Sequence, residues 1–221
     1  MQKSGLPRLT ELLGADELAL ISSLGARKKY RNGDLIHERG EEVSAIDFVV
    51  EGTVKLVFPR KDGEDIFSGF IHTGQTYGDA ACFQELQREH RAVAVGKTVI
   101  DHIPQNSFAE LLDNPAILSA LYEQSTFRLN IALGMLDDMR CLSPEMMLAK
   151  LIIRMVQARG GVDRLDFLQE EFAGILGISA VTLAKSLRIL KAHNLVETGY
   201  RHIRVADADR LIEWVEAHEA G

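Results

Sequence analysis

The sequence predicts an α+β fold in three successive parts: a β-rich N-terminal domain, one long helix, and a small helical domain with a β-hairpin. Three observations carry that expectation. Between residues 31 and about 103, Gly40, Gly52, Gly63 and Gly74 punctuate short runs rich in Val, Ile, Phe and Thr, such as IDFVV, TVKLVF and DIFSGFI. Turn signals at such regular spacing mark a β-barrel or sandwich. From Leu118 to Met139, apolar and small residues recur at alternating spacings of four and three, the pattern of a coiled-coil seam. Residues 168–190, LQEEFAGILGISAVTLAKSLRIL, read as two short helices pinched around Gly177.

Residues 8–25 carry leucines at helical spacing with Asp and Glu between them, which predicts one or two short helices. In the β region, Asp62-Gly63 is a hairpin-turn candidate because both residues tolerate positive φ. Pro104 interrupts the β pattern, and Asn114-Pro115 starts the long helix. Its seam is Leu118, Tyr122, Ser125, Leu129, Ala132, Leu136 and Met139. Such a seam packs either on the chain's own β domain or on a second copy, and its length favours a partner helix. Each fully buried Leu or Met contributes roughly 1.5–3 kcal/mol, ample for a dimer. Ser125 and Ala132 are places where the helices would approach closely.

Leu142-Ser143-Pro144 ends this helix, since Pro and the residue before it resist helical continuation. Ser143 and Pro144 are the natural hinge. The expected domains are therefore 1–114, 115–142 and 143–221. A helix over 145–158 and a Gly160-Gly161 loop follow. In the pinched stretch, Phe172, Ile175 and Leu176 share one face, while Leu183, Leu187 and Leu190 recur on the second helix. Ala173 lets the helices cross closely, Gly177 turns the chain, and Ser179 can cap the second helix. That is a helix-turn-helix, whose second helix enters a DNA major groove; an ordinary helical hairpin is the bland alternative. Residues 195–198 and 202–205 flank Gly199-Tyr200-Arg201 as a hairpin wing. The segment 207–221 reads as a short amphipathic helix around Leu211, Ile212 and Val215.

Composition sets the bounds. With 46% hydrophobic and 26% charged residues the chain is an ordinary globular protein. No apolar run approaches a bilayer span, and the opening MQKSGLPRLTELLG lacks the apolar core of a secretory signal. A cytoplasmic setting without membrane contact is expected. Cys82 and Cys141 match no metal or disulfide framework. The net charge of −7 disfavours DNA binding only if charge is spread evenly. It is not: Lys185, Arg188, Lys191, Arg201 and Arg204 face only Glu197 between residues 179 and 204.

The order of these parts resembles the Crp/Fnr superfamily of bacterial transcription factors. The words that carry the likeness are LIHERGE, FVVEGTVKL, KDGEDIFSGFIHTGQTYGDAACF and QEEFAGILGISAVTLAKSLRIL, with glycines at 40, 52, 63, 74 and 78 where that family has turn glycines. The resemblance covers roughly residues 20–206. It implies a cyclic-nucleotide-binding-like β-roll, a dimerisation helix and a winged helix-turn-helix. It also implies a homodimer on a pseudo-palindromic operator, in contact with RNA polymerase.

The resemblance also points to a candidate effector pocket, and the residues there depart from the family. Nucleotide-binding members carry a Gly-Glu and an Arg-Ser pair; here Gly78-Asp79 and Arg91-Ala92 stand in their places. The family's adenine-contacting polar pair maps to Ala132 and Leu133, beside Leu129, and neither can hydrogen-bond a base edge. Each lost partner leaves a buried ligand atom unsatisfied, at about 1–3 kcal/mol, which argues against cyclic AMP. Arg91 reads more simply as a salt-bridge partner of Asp79 than as a phosphate ligand. Two isolated cysteines argue against an iron–sulfur cluster. Haem would need an axial ligand, for which His72, His90 and His102 are candidates, although lone histidines on such a domain are commonly surface or hydrogen-bonded residues. Cys82 reads as a small buried hydrophobe. No cofactor is assigned.

On the second helix the family's Arg-Glu pair is replaced by Ala180 and Val181, which can offer only apolar contact to a thymine methyl. Lys185 reaches a guanine edge or a phosphate. Ser179, Thr182, Arg188, Arg201 and His202 position the backbone, and Leu168 replaces a Ser or Thr that often caps the first helix. Two other readings compete. A cupin-like enzyme would need closely spaced metal-binding histidines, and His37, His72, His90 and His102 contain no His-x-His pair. A scaffold that no longer reads DNA would explain the apolar Ala180-Val181.

Overall fold

The computed structural model of the chain describes residues 7–60, 65–84, 86–158, 163–166 and 169–219. They form two compact units that divide between Leu129 and Asn130. The expected Asp62-Gly63 turn, the Gly160-Gly161 loop and Leu168 lie outside the described residues.

In the first unit, α1 (Leu9–Leu12) and α2 (Ala15–Leu24) precede the roll. Its strands are β1 (Ala26–Tyr30), β2 (Leu35–His37), β3 (Ala45–Pro59), β4 (Asp65–His72), β5 (Thr76–Tyr77) and β6 (Arg91–Pro104). All pair antiparallel in the order β1-β6-β3-β4, with β2 on β6 and β5 on β3. Gly52 departs from expectation. It does not end a strand but sits inside β3, where the register with β6 shifts between Val49 and Thr53. Its φ is +93°, and a Cβ there would run into the Lys97 carbonyl oxygen. The glycine therefore allows a bulge that bends one long strand.

Val49, Val54, Ile71, Tyr77, Ala92 and Ile100 fill the inside of the roll. A second cluster, including Leu9, Ile21, Phe48, Cys82 and Ile103, packs with α4 (Phe108–Leu112) and the start of α5 (Pro115–Cys141). Cys82 is buried there, and burial pushes its thiol up; Cys141 is exposed. Between β5 and β6, Gly78 at φ +80° opens the short helix α3 (Asp79–Phe83).

Helix α5 has two faces. Ile117, Ala120, Leu121 and Gln124 are buried, and Gln124 bonds Thr76 Oγ1 at 2.9 Å and the Pro7 carbonyl at 2.7 Å. All seven seam positions, Leu118, Tyr122, Ser125, Leu129, Ala132, Leu136 and Met139, are exposed on the single chain.

The second unit holds the end of α5, α6 (Pro144–Ala158), β7 (Arg164–Asp166), α7 (Gln169–Leu176), α8 (Ala180–Ala192), β8 (Val196–Gly199), β9 (His202–Val205) and α9 (Ala208–Glu219). Strand order is β7-β9-β8, so a third short strand, absent from the sequence expectation, backs the wing. Phe172, Leu176, Leu183, Leu187, Leu190, Leu211 and Val215 join Leu148 and Ile152 in its core. Of the expected hinge residues, Ser143 lies with Leu142 in the break between α5 and α6, Pro144 opens α6, and the junction is braced. Asp138 of α5 pairs with Lys150 at 2.7 Å and Arg154 at 2.6 Å, both on α6.

Candidate nucleic-acid interface

Helices α7 and α8 are bent by 104° relative to each other, within the range of a DNA-reading helix-turn-helix. The sequence produces this locally. Gly177 takes φ +64°, a left-handed turn that costs a glycine little. Ser179 then caps α8, accepting from the Thr182 backbone N–H at 3.1 Å. Burying Leu183, Leu187 and Leu190 turns the opposite face outward, with Ala180, Val181, Ala184, Lys185 and Arg188 all exposed. Val181 is 67% exposed, unusual for a β-branched apolar residue on a helix. Ala184 lies on this face and went unrecognised in the sequence, because alanine carries no signal of its own.

The wing hangs from the end of α8. Lys191 Nζ donates to Thr198 Oγ1 at 3.1 Å, joining helix to hairpin. Gly199 pairs with His202, leaving Tyr200 and Arg201 as the two-residue tip. The His202 ring lies against Gly199, where a Cβ would collide with it, and its Nδ1 is 3.1 Å from the Tyr200 carbonyl. One ring nitrogen of His202 is thus engaged within the wing. Arg204 is paired with Asp163 at 2.9 Å, which raises the already high guanidinium pKa. Lys185, Arg188 and Arg201 show no ion pair among the described residues.

In the first unit a cavity of about 260 Å³ is lined by His37, Tyr77, Gly78, Asp79, Arg88 and His90, among others. Only Gly78 and Asp79 of the expected pocket residues belong to it. The expected Arg91–Asp79 pair does not form. Arg91 starts β6 and binds Glu38 at 2.6 Å and Asp65 at 3.1 Å, because the sheet register sets it beside those carboxylates. Ala92 is fully buried in the strand, and Leu129, Ala132 and Leu133 are exposed. Asp79 is held instead by Arg128 Nη1 at 2.9 Å and Ser125 Oγ at 3.1 Å, both on α5. Arg128 also donates to the Thr76 carbonyl.

Beneath the cavity lies a buried charge network. Asp47 is fully buried; Arg88 Nη2 lies 3.0 Å from it, His102 Nδ1 2.6 Å and His37 Nε2 3.6 Å. Burial opposes its ionisation, but the hydrogen bond from His102, the nearby His37 ring and the Arg88 charge outweigh burial and hold its pKa at about 2. The other nitrogen of His102 is 2.8 Å from the Tyr30 hydroxyl. Both its ring nitrogens are therefore occupied, which leaves none for a haem iron. His72 Nδ1 is 3.2 Å from Thr53 Oγ1, and burial lowers the His90 pKa. No group of three or more His, Cys, Asp or Glu among the described residues could hold a metal ion. Neither Arg88 nor Arg128 was singled out from the sequence, where a lone arginine in a charged loop or on a helix reads as solvated.

No single described helix is long and apolar enough to cross a membrane. Residues 27–114 match the cyclic nucleotide-binding domain family, and residues 148–214 match the Crp-like helix-turn-helix domain family. The cAMP-activated global transcriptional regulator CRP of Salmonella typhimurium is 23% identical over 176 residues, covering 76% of this chain and 83% of that protein. The cAMP-activated regulator Vfr of Pseudomonas aeruginosa is 22% identical over 180 residues, covering 77% and 84%. Among solved structures, a CRP/FNR-family regulator from Thermus thermophilus shares the fold, with a TM-score of 0.72, 20% identity and coverage of 86% and 98%. The c-di-GMP responsive regulator CLP of Xanthomonas campestris shares it too, with a TM-score of 0.71, 16% identity and coverage of 88% and 100%. These relatives are regulators rather than enzymes, and the chain belongs with them to the Crp/Fnr family of bacterial DNA-binding transcription regulators.

Proposed function

We propose that the chain acts as a homodimer that zips along α5 and presents two α8 helices to one pseudo-palindromic operator, without needing cyclic AMP. The observation that carries this reading is the exposure of all seven seam residues on a helix whose opposite face is buried over its first turns, at Ile117, Ala120, Leu121 and Gln124. A contiguous apolar strip of that kind on a monomer marks an interface. Ala180 and Val181 contact thymine methyls, Lys185 a guanine edge or a phosphate, and Ser179, Thr182, Arg188, Arg201 and His202 the DNA backbone. The operator then differs from that of relatives with polar side chains at the start of the recognition helix. Ser143 and Pro144 set the spacing of the two helices, and RNA polymerase is the expected partner at a promoter in the cytoplasm.

Three features support independence from cyclic AMP. Asp79 is engaged by Arg128 and Ser125, Arg91 is engaged by Glu38 and Asp65, and Ala132 and Leu133 offer no hydrogen bond to adenine. The test is selection of bound duplex from random DNA with no nucleotide added, alongside measurement of mass in solution. A twofold-symmetric site bound by a dimer is expected. A monomer, or recovery of a site only when cyclic AMP is present, would contradict the proposal.

A further inference from the structure

Helix α9 runs on past the stretch 148–214 that matches the helix-turn-helix family, and its last turns are not idle. Leu211, Val215 and Glu219 recur every four residues, so they share one face. Leu211 and Val215 bury that face in the core with Leu148 and Ile152 of α6. Glu219 Oε1 then meets Lys150 Nζ of α6 at 2.6 Å. The same Lys150 nitrogen lies 2.7 Å from Asp138 Oδ1, and Arg154 Nη2 takes the other Asp138 oxygen at 2.6 Å. One lysine therefore joins the end of α9 to the end of α5, across the break at Leu142-Ser143. Burial works against the Lys150 charge, but hydrogen bonds to Asp138 and Glu219 outweigh it and raise its pKa. On the neighbouring face of α9, the Trp214 ring centre stands 4.3 Å from that of His218 and 5.8 Å from that of His193, the residue that closes α8. Helix α9 thus touches the end of the helix that reads DNA and, through Lys150, the helix that pairs the protomers.

Core packing accounts for Leu211 and Val215 but not for the chain of ion pairs at the end of the helix. Asp138 is only 8% exposed, and a carboxylate so placed depends on keeping its cations. A lysine side chain is a flexible four-carbon stem, and Glu219 gives that of Lys150 a second fixed point. A two-residue break lets α6 swing on α5 unless contacts across it prevent the motion. An operator with two half-sites accepts only one separation of the α8 helices. Building on the reading that no cyclic nucleotide is needed, we propose that α9 is a strap that holds the recognition helix in its DNA-binding orientation on α5. Glu219 is its positioning residue and acts through Lys150 on Asp138. The chain's own C-terminal helix, rather than a ligand in the roll, then fixes the orientation of the reader.

The test uses the full chain, an operator recovered by selection without nucleotide, and copies of it lengthened by one or two base pairs between the half-sites. Glu219→Gln removes a charge and touches no core residue. An exposed ion pair changes an equilibrium by no more than about fivefold. Each dimer carries two straps, so a factor of about threefold per protomer becomes about tenfold. Glu219→Gln is expected to bind the selected operator about tenfold more weakly and the lengthened ones as the wild type does, with the dimer mass unchanged. Its preference for one spacing shrinks by that factor. Glu219→Asp, which keeps the charge, should restore at least part of the preference. Asp138→Asn should lose at least as much as Glu219→Gln, and combining the two should cost nothing further, since both act through one contact. An unchanged spacing preference in Glu219→Gln overturns the strap. So does a loss that falls equally on every spacing, or one that multiplies with that of Asp138→Asn. Those results leave the dimeric DNA-binding reading standing, whereas a wild type that prefers a spacing only with cyclic AMP added, or binds no duplex, overturns both.

Discussion

The Asp79 carboxylate accepts hydrogen bonds from Arg128 Nη1 at 2.9 and 3.0 Å, tying α3 to α5. Asp79 is almost fully buried and Arg128 partly so, so this is a desolvated, charge-assisted contact. Hydrogen bonds to charged groups contribute about 1.5–3 kcal/mol.

Arg128→Ala is therefore expected to destabilise the roll by about 2 kcal/mol, a fall of roughly 6 °C in melting temperature for a unit of this size. Wild-type affinity for operator is expected to change less than about twofold on adding cyclic AMP, because a ligand without differential affinity shifts nothing. Calorimetry and band-shift titration check the two statements separately. A large gain in affinity with the nucleotide would mean that Asp79 exchanges Arg128 for a ribose.

Asp47 makes the roll sensitive to acid. Its folded pKa of about 2 lies below the ordinary 3.8. A depressed carboxylate stabilises the fold above its unfolded pKa, and the contribution fades as pH falls from about 4 towards 2. At ~1.4 kcal/mol per pKa unit this amounts to roughly 2 kcal/mol. Asp47→Asn should abolish that part of the pH dependence. It also strands the buried Arg88, at a cost of about 3–5 kcal/mol. Hydrogen exchange at β3 amides is the appropriate probe, because the one tryptophan, Trp214, lies in the other unit.

Val181 should read a methyl group. Replacing the contacted thymine with uracil removes one methyl, worth about 0.8 kcal/mol or roughly fourfold in affinity. Val181→Ala should bind the thymine and uracil sites equally. A wild-type protein indifferent to uracil at every position would show that the apolar start of α8 contacts no thymine methyl.

Much of this architecture is legible in the sequence where one residue's physics decides the local structure. Gly177 and Ser179 announce the turn and cap, and the spacing from Leu118 to Met139 announces a helix with a second apolar face. Sequence fails where a decision depends on partners distant along the chain. Gly52 looks like a turn until Lys97, brought beside it by strand pairing, shows why a glycine is needed in mid-strand. Arg91 and Arg128 are both 12 or more residues from Asp79, and only the β6 register and the face of α5 decide which of them meets it. The strand β7 is three residues long and pairs with β9 some forty residues later, too short for any periodicity to reveal.

The seam can be broken at one exposed position. Leu136→Arg places a charge in the seam while leaving the buried Ile117, Ala120, Leu121 and Gln124 of α5 untouched. The variant should be a monomer in solution with operator affinity lowered by about 10²–10⁴-fold, the advantage lost when two linked half-sites no longer bind together. A dimer that survives this change would show that α5 pairs through another face.

The central claim, two α8 helices held by one α5 seam, is tested most directly by the spacing of half-sites in DNA selected by the purified protein. Two inverted half-sites with centres about 10–10.5 base pairs apart, or a whole-turn multiple of that, are predicted from the 34 Å repeat of the duplex. Recovery of a single unrepeated half-site, or of pairs at no fixed spacing, would contradict it.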